Sequence, residues 1–174
     1  MEQKPKNVSP FSNESRNAYV VEHLTDAMLE LLKEKPLAEI SISELCDKAG
    51  VGRTSFYRNF EEKEDIVRGY VGRLSQEWVD QCKRLSEGSV KETVRIVFSH
   101  FEANRDFYGL LNERGMVYLL KDIILDLCGF NPDQDIVTAY ASAYMGFFLY
   151  GWIEVWFRRG MRDTVDELIT HLPE

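Results

Sequence analysis

Between residues 41 and 63 the sequence holds a group of side chains that can bond to nucleic acid. Arginine can donate two hydrogen bonds to guanine, asparagine can pair with adenine, and hydroxyl groups can contact base edges. Tyrosine and lysine can reach phosphates, which sets register without reading sequence. The members are Ser41, Ser43, Arg53, Thr54, Ser55, Tyr57, Asn59 and Lys63. Their residue types predict an interface for double-stranded DNA, with Tyr57 and Lys63 on the phosphates.

Two short helices are predicted to position these side chains. Ser41 and Glu44 fit a capping box, so a helix begins near Ile42, and Gly50 suits the left-handed residue that ends it. A three-residue connection centred on Val51 follows, of the kind that joins two helices at a steep angle. The spacing predicts a helix-turn-helix.

The second short helix starts at Arg53, with Phe56 and Phe60 four residues apart and facing inward. This arrangement leaves the polar residues of the helix to project into a groove of DNA. A recognition helix this short must be paired to read two half-sites, and a two-fold symmetric protein then predicts a palindromic operator.

The pattern A-G-V, followed by T-S-F-Y-R-N-F-E-x-K-E-D, resembles the TetR family of bacterial transcription regulators across roughly residues 14–71. The resemblance implies a helix-turn-helix formed by the second and third of about nine helices. It also implies that Tyr57 and Lys63 hold DNA phosphates and that the other six residues face the duplex. Gly52 departs from the family pattern, since members usually place a capping Ser or Thr there.

Helical stripes on both sides of this motif predict an all-α fold. One stripe runs from Val20 to Leu32 and ends before Pro36, and a longer one runs from Ile66 to Cys82. We expect a flexible leader at 1–12, a three-helix helix-turn-helix DNA-binding domain at 13–63, and an effector-binding and dimerisation domain at 64–174. The long helix from residue 66 joins the last two.

The segment from residue 136 to residue 153 has no formal charge. Its length is at the lower edge of a membrane-spanning helix, but its hydroxyl-bearing residues and the return of charge at Glu154 favour a soluble helix buried on two sides. Asn131 as cap and Pro132 as first residue would begin it, and Gly160 would close it.

One side of this helix is predicted to pack on a second subunit. Thr164 and Glu167 form a second capping box that opens a last helix, and in TetR relatives the final two helices build the dimer interface. The predicted interface residues are Phe147, Phe148, Val155, Trp156, Leu168 and Leu172. Packing within a monomer is the alternative.

The resemblance also implies a small-molecule effector, whose identity the sequence does not show. Aromatic residues with hydroxyl donors offer a lining for it, although core packing explains them equally well. The candidates are Trp78, Phe101, Phe107, Tyr108, Met116, Tyr118, Tyr140, Tyr144 and Trp152.

Composition is consistent with a cytoplasmic regulator that has no cofactor. The net charge is −8, and residues 1–63 hold nine Lys and Arg against eleven Asp and Glu, so binding to DNA would rest on local placement of basic residues. The three cysteines are scattered, which argues against a disulfide framework and for a reducing compartment. The three histidines lie far apart, which gives a metal site little support.

The predicted function is sequence-specific DNA binding by a homodimeric, ligand-responsive repressor. The sequence has no dinucleotide-binding or phosphate-binding glycine motif and no G-x-S-x-G nucleophile motif. Two alternatives stay open: a helix-turn-helix module that acts through a partner regulator, and a small helical enzyme.

Overall fold

The chain is all-α in the part that the structure, a computed structural model, describes, which is residues 13–85 and 89–172. Those residues form helices and no strand, which confirms the predicted fold class. The predicted leader, 1–12, lies outside the described residues. The helices are α1 Asn13–Glu34, α2 Ile42–Ala49, α3 Arg53–Asn59, α4 Glu64–Leu85, α5 Val90–Ala103, α6 Arg105–Glu113, α7 Leu120–Leu127, α8 Ile136–Arg158 and α9 Val165–Thr170. Short 3-10 turns occur at Leu37–Glu39 and Val117–Leu119.

The chain divides into two compact units after Val67. In the N-terminal unit α1, α2 and α3 pack on one another around side chains that are almost completely buried. These are Leu24, Met28, Leu32, Ile40, Leu45 and Phe56. Because α3 is only seven residues long, burial of this core, rather than its own hydrogen bonds, stabilises it.

The turn between α2 and α3 has the geometry that the sequence predicts. Gly50 adopts the left-handed conformation at φ 66°, and the Val51 N–H donates to the Cys46 carbonyl at 3.0 Å. At the other end of the turn Gly52 is extended and offers α3 no side-chain cap. The predicted end of α2 at Gly50 is therefore confirmed.

The C-terminal unit, from Arg68 onward, has a core made largely of aromatic rings. Phe101 lies 4.5 Å from Tyr108 between ring centroids, and Phe98 lies 5.2 Å from Trp156. Edge-on contacts at these distances add to the free energy gained from burying the rings. The core ties α4, α5, α6 and α8 together through Trp78, Phe98, Phe101, Tyr108, Trp156 and Phe157.

Helices α7 and α8 approach most closely at Gly146. A Cβ atom at that position would lie 2.6 Å from Leu125 Cδ2 and 3.3 Å from Leu125 Cα. The Leu125 side chain would have to move and its Cα would be crowded, so glycine at 146 permits the close separation of the two helices.

The predicted start of α8 is wrong. The helix begins at Ile136 because the Asp135 carboxylate caps it, accepting from the N–H groups of Val137 and Thr138 at 3.1 Å each. The Asn131 side chain instead accepts from the Asp133 N–H at 2.9 Å and shapes the preceding loop. The predicted close at Gly160 is confirmed, since that residue has φ 74°.

Within this chain α8 is buried on one side only. Gly146, Leu149 and Ile153 face the core, whereas a stripe of large apolar residues on the other side is exposed. We call it the α8 stripe: Ile136, Val137, Tyr140, Tyr144, Phe147 and Val155. By length and composition alone the helix is long enough to cross a membrane. The expectation of burial on two sides is not met by the single chain.

A matched pair of glycine substitutions tests the turn. A Cβ at Gly50 or at Gly69 meets no heavy atom within 4 Å, so the two sites differ only in backbone conformation. Gly50→Ala should lower the free energy of unfolding by about 1 kcal/mol, because alanine is strained at positive φ. Gly69→Ala, inside α4, should raise it by about 0.5–1 kcal/mol. Urea unfolding of both variants measures this, and destabilisation of equal size in both would contradict the assigned role of Gly50.

Candidate DNA-binding site

Helix α3 presents polar side chains to solvent above one buried anchor. Phe56 is completely buried, and its ring lies 5.1 Å from Tyr57 and 5.9 Å from Phe60. Arg53 and Thr54 are exposed, and Tyr57 keeps 60% of its surface. Of the predicted contacts on α3, these three have the free surface that a groove requires, and Ser41 before α2 is exposed as well.

The start of α2 combines a helix cap with an ion pair. The Ser41 hydroxyl oxygen accepts from the Glu44 N–H at 3.1 Å, which confirms the predicted cap, while Ser43 is half-buried. The Glu44 carboxylate accepts from Lys35 Nζ at 2.6 and 2.7 Å. This bond is the main cause that lowers the pKa of Glu44, and a bond from the Ser41 backbone adds to it.

Lys63 is fixed next to that helix start. Its ammonium group donates to the carbonyl oxygens of Ile40 at 2.7 Å and Ala38 at 3.3 Å. An ammonium group has three donors, so these two bonds still leave a direction for a phosphate oxygen. The positive end of the α2 dipole, the Ser41 hydroxyl and Lys63 together favour an anion at this point. The sequence predicted that Lys63 contacts a DNA phosphate, but it did not show the two carbonyl groups that hold the side chain in place.

Asn59 lies differently from the adenine contact that was predicted. Its amide nitrogen donates to the Ser55 carbonyl oxygen at 2.8 Å, and both residues are half-buried. They line a groove of about 460 Å³ between α1 and α3, together with Arg16 and Arg58. One donor of Asn59 is thus used inside its own helix, which disfavours a two-bond contact to adenine.

Arg16 and Arg58 are candidates that sequence reasoning left out of the interface. Both are exposed at the rim of the groove between α1 and α3. Helical spacing could have identified Arg58 as an interface residue. It follows the exposed Thr54 by four residues and so lies on the same side of α3. Arg16 lies on another helix, and only the packing of α1 on α3 brings it near.

Ion pairs within the N-terminal unit involve Glu30, Glu34 and Glu44. Lys48 Nζ lies 3.0 Å from a Glu30 oxygen and 3.9 Å from a Glu34 oxygen. The bond to Glu30 is the main cause that raises the pKa of Lys48. Part of the acidic charge of α1 is therefore compensated locally by Lys48.

The predicted effector lining is not brought together at one place. Trp78, Phe101, Tyr108 and Met116 are buried in the core, and Phe107 packs on Tyr70 at 4.8 Å. Tyr118, Tyr140 and Tyr144 are 46%, 74% and 71% exposed. The candidates are separated because some lie on the side of their helix that faces the core and others lie on the side that faces solvent. Residue type alone does not determine the side.

Two of the predicted lining residues border separate cavities. Trp152 lines one of about 380 Å³ on α8 and α9, together with three predicted dimer residues, Val155, Trp156 and Leu168. Trp78 lines a cleft of about 420 Å³ between α4 and α5, beside His100.

A buried polar cluster lies behind the cleft between α4 and α5. His100 Nε2 and the Tyr108 hydroxyl are 3.0 Å apart, and burial lowers the pKa of His100. Burial also raises the pKa of Tyr108, while the Ser75 and Trp78 side chains oppose that rise. The Ser75 hydroxyl and the Trp78 indole N–H nevertheless have no hydrogen bond of good geometry.

The predicted dimer residues differ in exposure and fall into three groups. Phe147 and Val155 are more than half exposed, and Phe148 and Leu168 are half-buried. Trp156 and Leu172 are buried within the chain. Trp156 is held there because its indole N–H donates to the Asp163 carbonyl oxygen at 2.8 Å. Trp156 is therefore a core residue of the single chain and has no free surface for a second copy.

Comparison with known proteins gives a family for the N-terminal unit. Residues 24–70 match the family model described as bacterial regulatory proteins, tetR family. The uncharacterised HTH-type transcriptional regulator YxbF of Bacillus subtilis is 25% identical over 144 residues, 74% of this chain and 38% of that protein. The HTH-type transcriptional regulator AlkX of Mycobacterium tuberculosis is 31% identical over 81 residues, 47% of this chain and 38% of that protein. The matches thus span 38% of each relative's length.

Solved structures share the fold along almost the whole chain. Lin0861 from Listeria innocua has a TM-score of 0.66 at 16% identity, covering 93% of this chain and 91% of that one. NalD, the secondary repressor of the MexAB-OprM efflux pump in Pseudomonas aeruginosa, has a TM-score of 0.57 at 17% identity, covering 90% and 92%. The fatty acid degradation regulator FadR from Bacillus halodurans has a TM-score of 0.55 at 15% identity, covering 95% and 93%. The resemblance predicted from the sequence is confirmed: residues 24–70 match the tetR family model, and the chain shares the helical fold of these solved structures.

Proposed function

We propose that this protein is a sequence-specific transcription regulator that binds a palindromic operator as a homodimer and represses until a small-molecule effector releases it. The observation that carries the proposal is α3 itself. Phe56 fixes the helix on its unit while Arg53, Thr54 and Tyr57 stay exposed. Polar residues are thus presented on a rigid element, as groove recognition requires.

Contacts to bases and contacts to phosphates are divided between the helices. Arg53, at the N-terminal end of α3, reads a guanine edge, and Thr54 supports it. Ser41 and Lys63 receive a phosphate at the start of α2, and Tyr57 receives another. Ser43, Ser55 and Asn59 are less exposed and act by supporting these contacts. Arg16 and Arg58 lie close to the sugar–phosphate backbone.

The α8 stripe is the proposed interface between two copies. It presents large apolar side chains along one side of a 23-residue helix, each between 54% and 74% exposed. An apolar surface of this length is rare on a monomer and marks an interaction site. Since a second copy carries the same stripe, two-fold pairing buries both at once.

The cleft between α4 and α5 is the proposed effector site. It has the size of a small-molecule pocket and combines polar rim residues such as Glu77 and Arg95 with Trp78 and His100 at its base. α4 runs without interruption from Glu64 to Leu85, and we propose that this helix carries the effect of a bound ligand to the DNA-binding unit. Binding would then favour one state of the DNA-binding unit over another.

Selection of bound sequences from a random duplex pool, at fixed salt, tests DNA recognition. The protein should enrich a palindrome. Arg53→Ala should weaken binding to that palindrome by about 1–3 kcal/mol and relax the preference at one position in each half-site. Lys63→Ala and Tyr57→Phe should weaken binding to all sequences alike. Lys63→Ala, which removes a positive charge, should also make binding less dependent on salt.

Lys91→Ala is the control, because it removes an exposed charge of the same kind from the C-terminal unit. It should bind like the wild type. Absence of any enriched sequence would contradict direct recognition and favour the alternative in which a partner regulator supplies the DNA contacts. Equal losses in Arg53→Ala and Lys91→Ala would contradict the assignment of Arg53.

Light scattering coupled to size-exclusion chromatography tests the dimer. Tyr144→Glu and Phe147→Glu should each convert the protein to monomer, because a carboxylate in an apolar interface loses its hydration without gaining a partner. Leu85→Glu, which changes a side chain that is 57% exposed outside the α8 stripe, should leave the dimer intact. A dimer that survives both α8 substitutions would rule out this face.

A further inference from the structure

The first turn of α2 has two roles that conflict electrostatically. Glu44 places a negative charge in that turn, near the positive end of the helix dipole, and this stabilises the helix. The same helix start, with the Ser41 hydroxyl and the ammonium group of Lys63, is the proposed site for a DNA phosphate. A carboxylate that stabilises the helix therefore repels the phosphate unless another group offsets its charge.

One peptide group separates the Glu44 carboxylate from the Lys63 ammonium group. The Ser41 N–H contributes to the lowered pKa of Glu44, so the carboxylate lies close to that N–H. The carbonyl oxygen of the same peptide group, on Ile40, accepts from Lys63 Nζ at 2.7 Å. In a trans peptide the N–H and the carbonyl point in opposite directions. The two charges are thus separated by a range comparable to the Debye length, which is about 8 Å at physiological salt, and are only partly screened.

Lys35 supplies the charge that offsets Glu44. Its ammonium group donates to both oxygens of the Glu44 carboxylate, at 2.6 and 2.7 Å. The Lys35 N–H donates to the Leu31 carbonyl oxygen at 3.0 Å, so the residue continues the last turn of α1 and has a fixed backbone. The side chains of Lys35 and Glu44 keep only 27% and 38% of their surface. Two bonds in a partly shielded position make this a firmer pair than most ion pairs on a protein surface.

Lys48 forms a similar pair at the other end of α2. Its ammonium group lies 3.0 Å from a Glu30 carboxylate oxygen, and the two side chains are 32% and 63% exposed. Lys48 belongs to the last turn of the helix, about 9 Å along the axis from Ile42. It therefore has the same charge and an acidic partner, but it lies farther from the phosphate site.

We propose that Lys35 is a positioning residue for DNA: by pairing with Glu44 it cancels the repulsion that this carboxylate exerts on the phosphate held by Lys63 and the start of α2. Lys35 acts through Glu44 and needs no contact of its own with the duplex. The inference rests on the proposed function, because it requires a phosphate at this site.

The test measures binding of the full-length protein to a fluorescent duplex of mixed sequence at low salt, by anisotropy. Lys35→Met should weaken binding about fivefold, as expected for one partly screened charge, and the deficit should shrink as salt is raised. Lys35→Arg, which keeps the charge and can make both bonds, should bind like the wild type. Glu44→Gln should bind more tightly than the wild type, and Lys35→Met combined with Glu44→Gln should restore wild-type affinity.

Lys48→Met is the matched control, because it removes the same charge from an ion pair in the same unit. It should bind DNA like the wild type. A loss equal to that of Lys35→Met would show that total charge matters rather than its placement, and this would overturn the inference.

Thermal unfolding separates the proposed role of Lys35 from a structural one. Lys35→Met and the double variant both lack the ion pair, so both should unfold at a similarly lowered temperature, yet only the single variant should bind DNA weakly. A double variant that binds as weakly as Lys35→Met would overturn the inference, because the pair would then serve the fold alone. If Lys35→Met fails to fold, Glu44→Gln decides the outcome, and weaker binding by it would overturn the inference.

The same titration distinguishes this inference from the proposed function. Normal binding by Lys35→Met beside weakened binding by Lys63→Ala would overturn the inference and leave the phosphate site in place. Normal binding by Lys63→Ala, or a wild type that binds no duplex, would overturn both.

Discussion

A helix of seven residues does not persist in water by itself, and the DNA-binding unit is organised around this constraint. The cost of nucleating a helix exceeds what two turns of hydrogen bonds return. Phe56 supplies the missing free energy by being buried completely against α1 and α2. The residues on the other side of α3 are then free to be chosen for recognition rather than for stability. Gly50 completes the arrangement, because its left-handed backbone turns the chain so that Phe56 enters the core.

The sequence could predict what is determined within one or two helical turns. Ser41 and Glu44, and again Thr164 and Glu167, are caps that depend on residues three apart, and both caps are present. The start of α8 shows the limit, because Asn131 and Asp135 are both good caps and local rules do not choose between them. The carboxylate of Asp135 reaches two N–H groups and a hydroxyl, and it therefore prevails.

Side-chain surroundings that depend on distant residues could not be predicted in the same way. The nine aromatic and methionine candidates for an effector lining share composition, but composition does not say which side of a helix faces which neighbour. Tyr140 and Tyr144 are exposed, while Trp78 and Tyr108 are buried. Likewise the crossing of α7 and α8 at Gly146 depends on Leu125, which lies on the other helix. The helices can cross this closely because residue 146 has no side chain, and a sequence pattern does not show at which position a side chain must be missing.

The bonds of Lys63 have a consequence for the entropy of binding. A lysine in solvent samples many rotamers, and a contact that selects one of them costs on the order of 1 kcal/mol or more when the partner arrives. In this protein the carbonyl groups of Ala38 and Ile40 select the rotamer when the chain folds. That ordering cost falls on folding instead of on the encounter with DNA, so a phosphate meets an ammonium group that already points in one direction.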